Sequence, residues 1–488
     1  MIQLRDYQKK GKSMLYESIR NGARKICWVF PTGAGKSTIA SSVVKDAILK
    51  KRKVLFVVHS KELVLQFKDR LKTQFGVSSG VIMAGHKSEP YDVQVASLQT
   101  LVRRPMPEAH IVIIDECHRA KSASYLKIVE HYSDRIIIGL TATPFRMDGK
   151  PLGDIFEEIV HPIKIQELVA RGKLVPTEAH VPKDEVDMSN VKTIAGDFAK
   201  DEMYARFNDK RILNGIVKNY KSIANGKKAI VFCCNVAHSK QIKESFEREG
   251  IKCGQVDGTT SKVQREVNVE MFRVGQIKVL CNVGVYCEGF DIPDCEVVIL
   301  GRATKSLGLY VQMVGRGLRP AEGKKKCIVI DHGGNVLRHG FVEDYDSIEF
   351  DLNEKRKSKV MTPRKCKNCG VGAMRRINAM MVCSRCSYSV DVSREDKVKF
   401  SDGEVEFEIL QRDKARLASI ATKSARELKL GELRIYQRIK GYQFGWCKHQ
   451  AQKMGLFKPL SNNEFAEFAY ELKIAEDNLG LTQILEQL

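Results

Sequence analysis

Residues 25–38 read KICWVFPTGAGKST: an apolar run, a loop holding Gly33 and Gly35, and then Lys36, Ser37 and Thr38 opening a helical stretch. An apolar run bounded by loop residues reads as a buried strand. The two glycines let backbone N–H groups curl round a phosphate, and the helix N-terminus adds the positive end of its dipole. Lys36 can then reach the outer phosphates of a nucleotide and Ser37 can ligate Mg2+, with Pro31, Thr32, Ala34 and Thr38 completing the loop. A strand, loop and helix in this order begin an α/β domain whose ligands bind beyond the carboxyl ends of its strands.

The same unit recurs outward from this point. KVLFVVHS, DVQVASL, HIVIIDE and RIIIGLTAT follow within residues 53–143. Near-continuous apolar runs alternating with helices indicate a parallel sheet covered on both faces. The pattern pauses in a polar stretch at 176–207 and resumes with KKAIVFCC, KCGQVDG, KVLCNVG, CEVVILG and KCIVIDH. A chain of 488 residues is too long for one hydrophobic core. The predicted fold class is α/β: two tandem parallel-sheet domains at 1–175 and 211–350, a connecting segment at 176–210, a small cysteine module at 360–390 and a helical region at 391–488.

Within the first domain, IVIIDECH delivers Asp115, Glu116 and His118 at a strand end. Asp115 would hold Mg2+ through water, and Glu116 would orient and deprotonate the attacking water in phosphoryl transfer. Acidic residues also follow strands simply because loops are polar. That reading leaves unexplained a lysine loop and an acid pair on two strands of one sheet.

LRDYQ (4–8), PTGAGKS (31–37), DECH (115–118), GLTATP (139–144), GFDIP (289–293) and QMVGRGLR (312–319) occur in this order. In order and approximate spacing they resemble the superfamily 2 helicases. Phe30 stands where the general phosphate-loop pattern has its first glycine, a departure common in that superfamily. The DECH box, the DHGGN segment (331–335) and a following four-cysteine cluster look most like RadD-type DNA repair helicases, with XPB and related phage helicases as neighbours. The resemblance implies two RecA-like domains that couple ATP hydrolysis to movement on nucleic acid. It implies that Gln8 contacts the adenine and that Thr141 and Thr143, with His118, link the nucleotide site to the nucleic-acid site. Asp291 would approach the ribose or the metal shell. Gln312, Arg316 and Arg319 would face the γ-phosphate from the second domain, the arginines stabilising transition-state charge. With Lys36 and Glu116 on one domain and Arg316 on the other, the cleft should close on ATP and open after hydrolysis.

Composition bears on the partner. A formal net charge of +22 and a pI near 9.3 describe a surface that attracts polyanions, so nucleic acid is the expected partner. Hydrophobic content of 43% argues against a disordered chain. No apolar run approaches a membrane span, and MIQLRDYQKKGK lacks an apolar signal core, so a soluble, cytoplasmic protein is expected. The track is assigned to strand-end loops on the face away from ATP: His59, Lys61 and Gln66 in HSKELVLQ, Ser97, Gln99 and Thr100 in ASLQT, and Asn235 in CNVAHS. Their hydroxyls, amides and N–H groups suit phosphate and sugar contacts, which position a strand without reading its sequence.

Cys366, Cys369, Cys383 and Cys386 form CKNC and CSRC, separated by thirteen residues. Two such knuckles can present four thiolates tetrahedrally to a structural Zn2+ with no open position for catalysis. The surrounding basic residues make this ribbon a DNA contact or a structural spacer. Further on, Arg434, Arg438, Lys440, Lys448 and Lys453 interleave with Tyr436, Tyr442, Phe444 and Trp446, a mixture that suits single-strand stacking or the core of a small helical bundle. The expected function is an ATP-dependent DNA helicase or translocase, monomeric, acting in DNA repair, recombination or replication and open to recruitment by a single-strand-binding or repair protein. A double-strand translocase that does not separate strands and an RNA helicase are the alternatives.

Overall fold

A computed structural model describes residues 3–87, 89–119, 123–145, 152–181, 186, 188, 190–194, 196–284, 294–345, 350–353, 364–377 and 380–391. Asp291 and the aromatic–basic stretch at 430–453 lie outside the described residues. The chain divides into a large unit, residues 1–375 with 384–386, and a smaller one, 376–383 with 387–488.

The large unit contains two parallel sheets. The first is built from β1 (Lys25–Val29), β2 (Val54–Val58), β3 (Gly80–Ile82), β4 (Val93–Ser97), β5 (Ile111–Asp115), β6 (Ile136–Thr141) and β7 (Glu158–Val160), in the spatial order β3-β4-β2-β5-β6-β1-β7. Its helices are α1 (Asp6–Arg20), α2 (Lys36–Leu49), α3 (Lys61–Phe75), α4 (Leu98–Leu101), α5 (Ala123–His131) and α6 (Ile165–Ala170). Every residue of β2 and of β4 is buried, as a strand covered on both faces requires. On one face Phe56 of β2 stacks on Phe67 of α3 with ring centroids 3.5 Å apart. The opposite face packs Leu55, Val57, Val112 and Ile114 against α5 residues such as Ile128.

Strand register decides where the loops emerge. Val29 pairs with Thr141, Leu140 with Asp115, Ile114 with Val57 and Val58 with Ser97. The chain segments after β4, β2, β5, β6 and β1 therefore leave the sheet along one edge in that order.

The second sheet holds β8 (Thr177–His180), β11 (Ala229–Cys233), β12 (Cys253–Val256), β13 (Val279–Asn282), β14 (Val297–Gly301) and β15 (Cys327–Asp331), ordered β12-β13-β11-β14-β15-β8. A two-stranded hairpin, β9 (Thr193–Ile194) with β10 (Asp197–Phe198), lies between β8 and β11 in the chain, and the helices are α7 (Lys200–Phe207), α8 (Lys210–Ala224), α9 (Val236–Arg248), α10 (Lys262–Arg273), α11 (Leu307–Gly315) and α12 (Asn335–His339). The connecting segment expected at 176–210 also supplies an edge strand, because β8 pairs in parallel with β15. Its four residues, TEAH, carry no apolar run by which a strand could be read.

Cys27, Cys233, Cys234 and Cys281 are buried and pack as small hydrophobes. In the cysteine module, β17 (Met380–Cys383) pairs antiparallel with β18 (Ser389–Asp391), and β16 (Met374–Ile377) completes a three-stranded sheet. Among the described residues no helix is long and apolar enough to cross a membrane.

Candidate ATP cleft and nucleic-acid groove

The phosphate loop leaves β1 with Gly35 in the left-handed region at φ 87, where it stands as N-cap of α2. A side chain is excluded there twice over, by that backbone conformation and because an added Cβ would lie 2.5 Å from Gln8 Nε2. Gln8, buried on α1, donates from Nε2 to the Ala34 carbonyl at 3.0 Å. Tyr7 donates its hydroxyl to the same carbonyl at 3.2 Å. The first helix therefore braces the loop from behind. Lys36 Nζ donates to the Phe30 carbonyl at 3.3 Å, across the loop's mouth, while Ser37 and Thr38 are half-buried at the start of α2.

The neighbouring strand ends deliver the acids. Asp115 closes β5, its Oδ1 accepting from the Glu116 N–H at 3.1 Å. Glu116 sits at φ 52, a left-handed conformation that costs an ordinary residue about 1–2 kcal/mol. Its carboxylate lies 3.3 Å from His118 Nδ1, which is also 3.2 Å from Thr141 Oγ1. Thr141 Oγ1 in turn donates to the Thr143 carbonyl at 2.9 Å and accepts from the Thr143 N–H at 3.0 Å. The three residues expected to couple the sites thus form one buried polar chain starting at Glu116.

From the second domain, α11 carries Gln312, which is buried, and ends at Arg316, its C-cap. An added Cβ on Gly315 would lie 2.8 Å from Thr32 Cβ, so α11 needs a glycine to approach the loop this closely. Arg319 Cγ stands 3.7 Å from the point where a Cβ on Gly33 would lie.

The electrostatics of this cleft are crowded. Burial pushes Lys36 below the ordinary lysine range; Glu116 and Asp115 pull it back up, and Arg316 and Arg319 push it further down. Burial, then the Arg70 charge, lowers Arg319. Burial also lowers Arg70, which Asp115 opposes. Burial and the Glu116 charge push Asp115 above the usual carboxylate range. Burial acts on Glu116 as well, but the hydrogen bond from His118 and the charges of Lys36 and His59 outweigh it and hold the group low. Four cations, Lys36, Arg70, Arg316 and Arg319, share this cleft with two acids, Asp115 and Glu116, an excess of positive charge that a polyphosphate would neutralise. A nucleotide triphosphate fits this donor set, and Ser37 with Asp115 offers the oxygen donors that Mg2+ prefers. Arg70 escaped the sequence reading. The available signal is its place three residues after Phe67, on the flank of the buried stripe Val64, Phe67 and Leu71.

Beside the cleft lies an open groove of about 560 Å3 lined by His59, Ser60, Lys61, Glu62, Ala84, Ser97, Gln99, Thr100, Arg103 and Arg104. It gathers five of the seven residues expected on the track. Arg103 and Arg104 were missed although they follow ASLQT within a few residues; Arg104 Nη1 donates to the His86 carbonyl at 3.4 Å. Gln66 is exposed on α3 and does not line the groove. Asn235 does not reach it either: its side-chain oxygen accepts from the His238 N–H at 2.9 Å and caps α9. The expectation of a face away from ATP is also corrected. The strand register places His59 next to the acid pair on the same carboxyl edge, within electrostatic reach of both Asp115 and Glu116.

The four ribbon cysteines present Sγ atoms that all lie within 4.8 Å of one another. The Gly372 N–H donates to Cys369 Sγ at 3.3 Å, and Gly370 and Ser387 adopt left-handed φ values of 70 and 58 one residue after the second cysteine of each pair. A backbone N–H aimed at sulfur and a donor set of four thiols fit a tetrahedral Zn2+.

Comparison with known proteins agrees with this geometry. Residues 1–146 match the family described as Type III restriction enzyme, res subunit, and residues 210–321 match the helicase conserved C-terminal domain. The chain is 33% identical to a 51.5 kDa protein of a Lactococcus phage over 398 residues, 80% of this chain and 84% of that one. It is 33% identical over 354 residues to a protein named as an ATP-dependent helicase, IRC3, of Saccharomyces cerevisiae, covering 68% of this chain and 51% of the yeast protein. It is 26% identical over 378 residues to the DNA 3'-5' translocase XPB2 of Sulfurisphaera tokodaii, covering 68% of this chain and 81% of that protein. Its fold matches a fragment of an HsdR subunit of a type I restriction enzyme from Vibrio vulnificus, with a TM-score of 0.53 at 20% identity, over 72% of this chain and 67% of that one. A phosphate loop and acid pair on one RecA-like domain, arginines from a second, and these relatives lead to one conclusion: the chain belongs to the superfamily 2 helicases, enzymes whose ATP hydrolysis depends on nucleic acid.

Proposed function

We propose that the protein is a DNA motor that couples ATP hydrolysis to movement along, or separation of, DNA strands in repair, recombination or replication. The observation that carries this reading is the position of His59, which lines the groove and follows β2 at the strand end beside that of Asp115 and Glu116. A strand held in the groove is thereby one side chain away from the hydrolytic acids. Support for DNA comes from the relatives: the XPB2 protein is named a DNA translocase, and an EcoAI type I restriction endonuclease subunit is 23% identical over 371 residues.

In this reading the Pro31–Thr38 loop and Lys36 hold the phosphates, and Gln8 keeps the loop shaped for the adenine end. Ser37 and Asp115 would hold Mg2+, which would supply positive charge to the phosphate oxygens. Glu116, kept ionised by His118 and Lys36, takes the proton of the attacking water. Arg316 and Arg319, with Gln312, meet the charge that develops on the outer phosphate. His118, Thr141 and Thr143 relay the state of this site along their hydrogen-bonded chain. The groove's Lys61, Arg103 and Arg104 contact backbone phosphates while Ser97, Gln99 and Thr100 contact phosphate or sugar, an arrangement without base readout. The ribbon cysteines hold Zn2+ as a structural ion.

A second reading is a double-strand DNA translocase that does not separate strands; one relative, XPB2, is named a translocase. ATP turnover measured side by side with single-stranded DNA, duplex DNA, forked DNA and RNA tests both. Strongest stimulation by single-stranded or forked DNA supports strand separation, and strongest stimulation by duplex supports the translocase. Stimulation by RNA alone would overturn the DNA assignment.

A further inference from the structure

The coupling loop is held from an unexpected side. Ala142, between Thr141 and Thr143, offers its carbonyl to the hydroxyl of Tyr345, whose side chain is 1% exposed. Tyr345 does not belong to the first sheet. It follows a short 3₁₀ turn, Val342–Asp344, at the point where the chain leaves the second domain.

Residues of this turn are tied to different parts of the unit. The Glu343 carboxylate accepts from the Thr177 N–H at 2.7 Å and from the Thr177 hydroxyl at 2.8 Å, fastening it to the edge strand of the second sheet. Asp344 Oδ1 accepts from Gln166 Nε2 of α6 at 2.8 Å and from the guanidinium of Arg375, which lies over the Phe341 ring at 5.6 Å. Tyr310 of α11 donates its hydroxyl to the Gly340 carbonyl at 2.9 Å just upstream. Downstream, the Phe350 ring lies 6.4 Å from Phe145 and 5.0 Å from His161, and the Leu352 carbonyl accepts from the Gly153 N–H at 2.8 Å. The chain around Tyr345 is therefore joined both to the arginine-bearing helix of the second domain and to the coupling loop of the first.

We propose that Tyr345 is a positioning residue for coupling, resting on the motor reading above: it fixes Ala142 so that second-domain movement reaches Thr141, His118 and Glu116. A buried hydroxyl bonded to a carbonyl between two coupling threonines is a short mechanical path. The loop's own polar chain continues from Thr141 to His118 and Glu116 over contacts of 3.2 and 3.3 Å. Arg375 holds the turn that carries Tyr345, so it acts in the same direction at one remove.

The test compares ATP turnover with and without single-stranded DNA in the full chain, its Tyr345→Phe variant and its Arg375→Ala variant. Tyr345→Phe should lower DNA-stimulated kcat roughly five- to tenfold, at the lower end of the range usual for coupling between sites. Basal turnover, the KM for ATP and the Kd for DNA should stay at wild-type values, a split that general loss of structure would not produce. Arg375→Ala should show the same split in milder form, with zinc content unchanged. Wild-type stimulation in either variant overturns the proposal, as does a fall in basal turnover and DNA affinity parallel to the fall in stimulated turnover. Absence of DNA stimulation in the wild-type protein would instead overturn the motor reading on which the proposal rests.

Discussion

The ATP cleft and the groove share one sheet edge and yet are built on different principles. In the cleft, Lys36, Arg70, Arg316, Arg319, Asp115 and Glu116 are packed closely enough that each shifts another's proton affinity. In the groove, Lys61, Gln99, Arg103 and Arg104 are exposed. Crowded buried charges depend on one another, so removing one member disturbs the whole. Exposed charges contribute nearly independently, and each is worth little alone. A site for chemistry on one ligand and a site for sliding along a uniform polyanion differ in this respect.

The largest effect expected from that difference is in the cleft. Glu116→Gln removes the base and keeps the Mg2+ donors, so ATP should still bind while turnover falls by about 10²- to 10⁴-fold. Near wild-type turnover would remove Glu116 from its role and break the contrast at its strongest point.

The ribbon gives an intermediate test of independence. Purified protein should contain about one zinc per chain, and Cys366→Ser with Cys369→Ser should abolish it, since a four-thiolate shell closes a single tetrahedral site. ATP binding should survive, because the cleft residues rest on other elements. Zinc-free wild-type protein would reject the ribbon reading, and loss of ATP binding with the zinc would show that the cleft is less self-contained than its geometry implies.

The smallest effect belongs to the groove. Arg103→Ala with Arg104→Ala should weaken DNA binding modestly and reduce the steepness of its salt dependence by about 2, one unit for each backbone phosphate that no longer meets a guanidinium. An unchanged salt slope would place the track elsewhere.

Much of this architecture is legible in the sequence because the chemistry requires unusual residues at strand ends. Gly33, Gly35 and Lys36 after β1, and Asp115 with Glu116 after β5, stand out against apolar runs. The ribbon's cysteines are visible from spacing alone. What cannot be read depends on long-range packing. Arg70 occupies an ordinary helical position and acquires meaning only when α3 is laid beside β5. Tyr345 meets Ala142 across 203 residues of chain, and no local pattern marks it. Asn235 shows what such a reading leaves out: a polar residue after a strand suggests the track, and this one also caps α9. The edge strand β8 escapes a reading of the sequence because pairing with β15, and not its own four residues, makes it a strand.

The central claim is that cleft and groove are two ends of one machine, and linkage tests it most directly. The Kd of single-stranded DNA should be measured by titration with and without a saturating non-hydrolysable ATP analogue, at fixed salt. If binding in the cleft biases the groove through His59 and the coupling loop, the two values should differ by roughly 5- to 150-fold, and DNA should shift the analogue's affinity by the same factor. Equal DNA affinities in the two conditions would contradict the account.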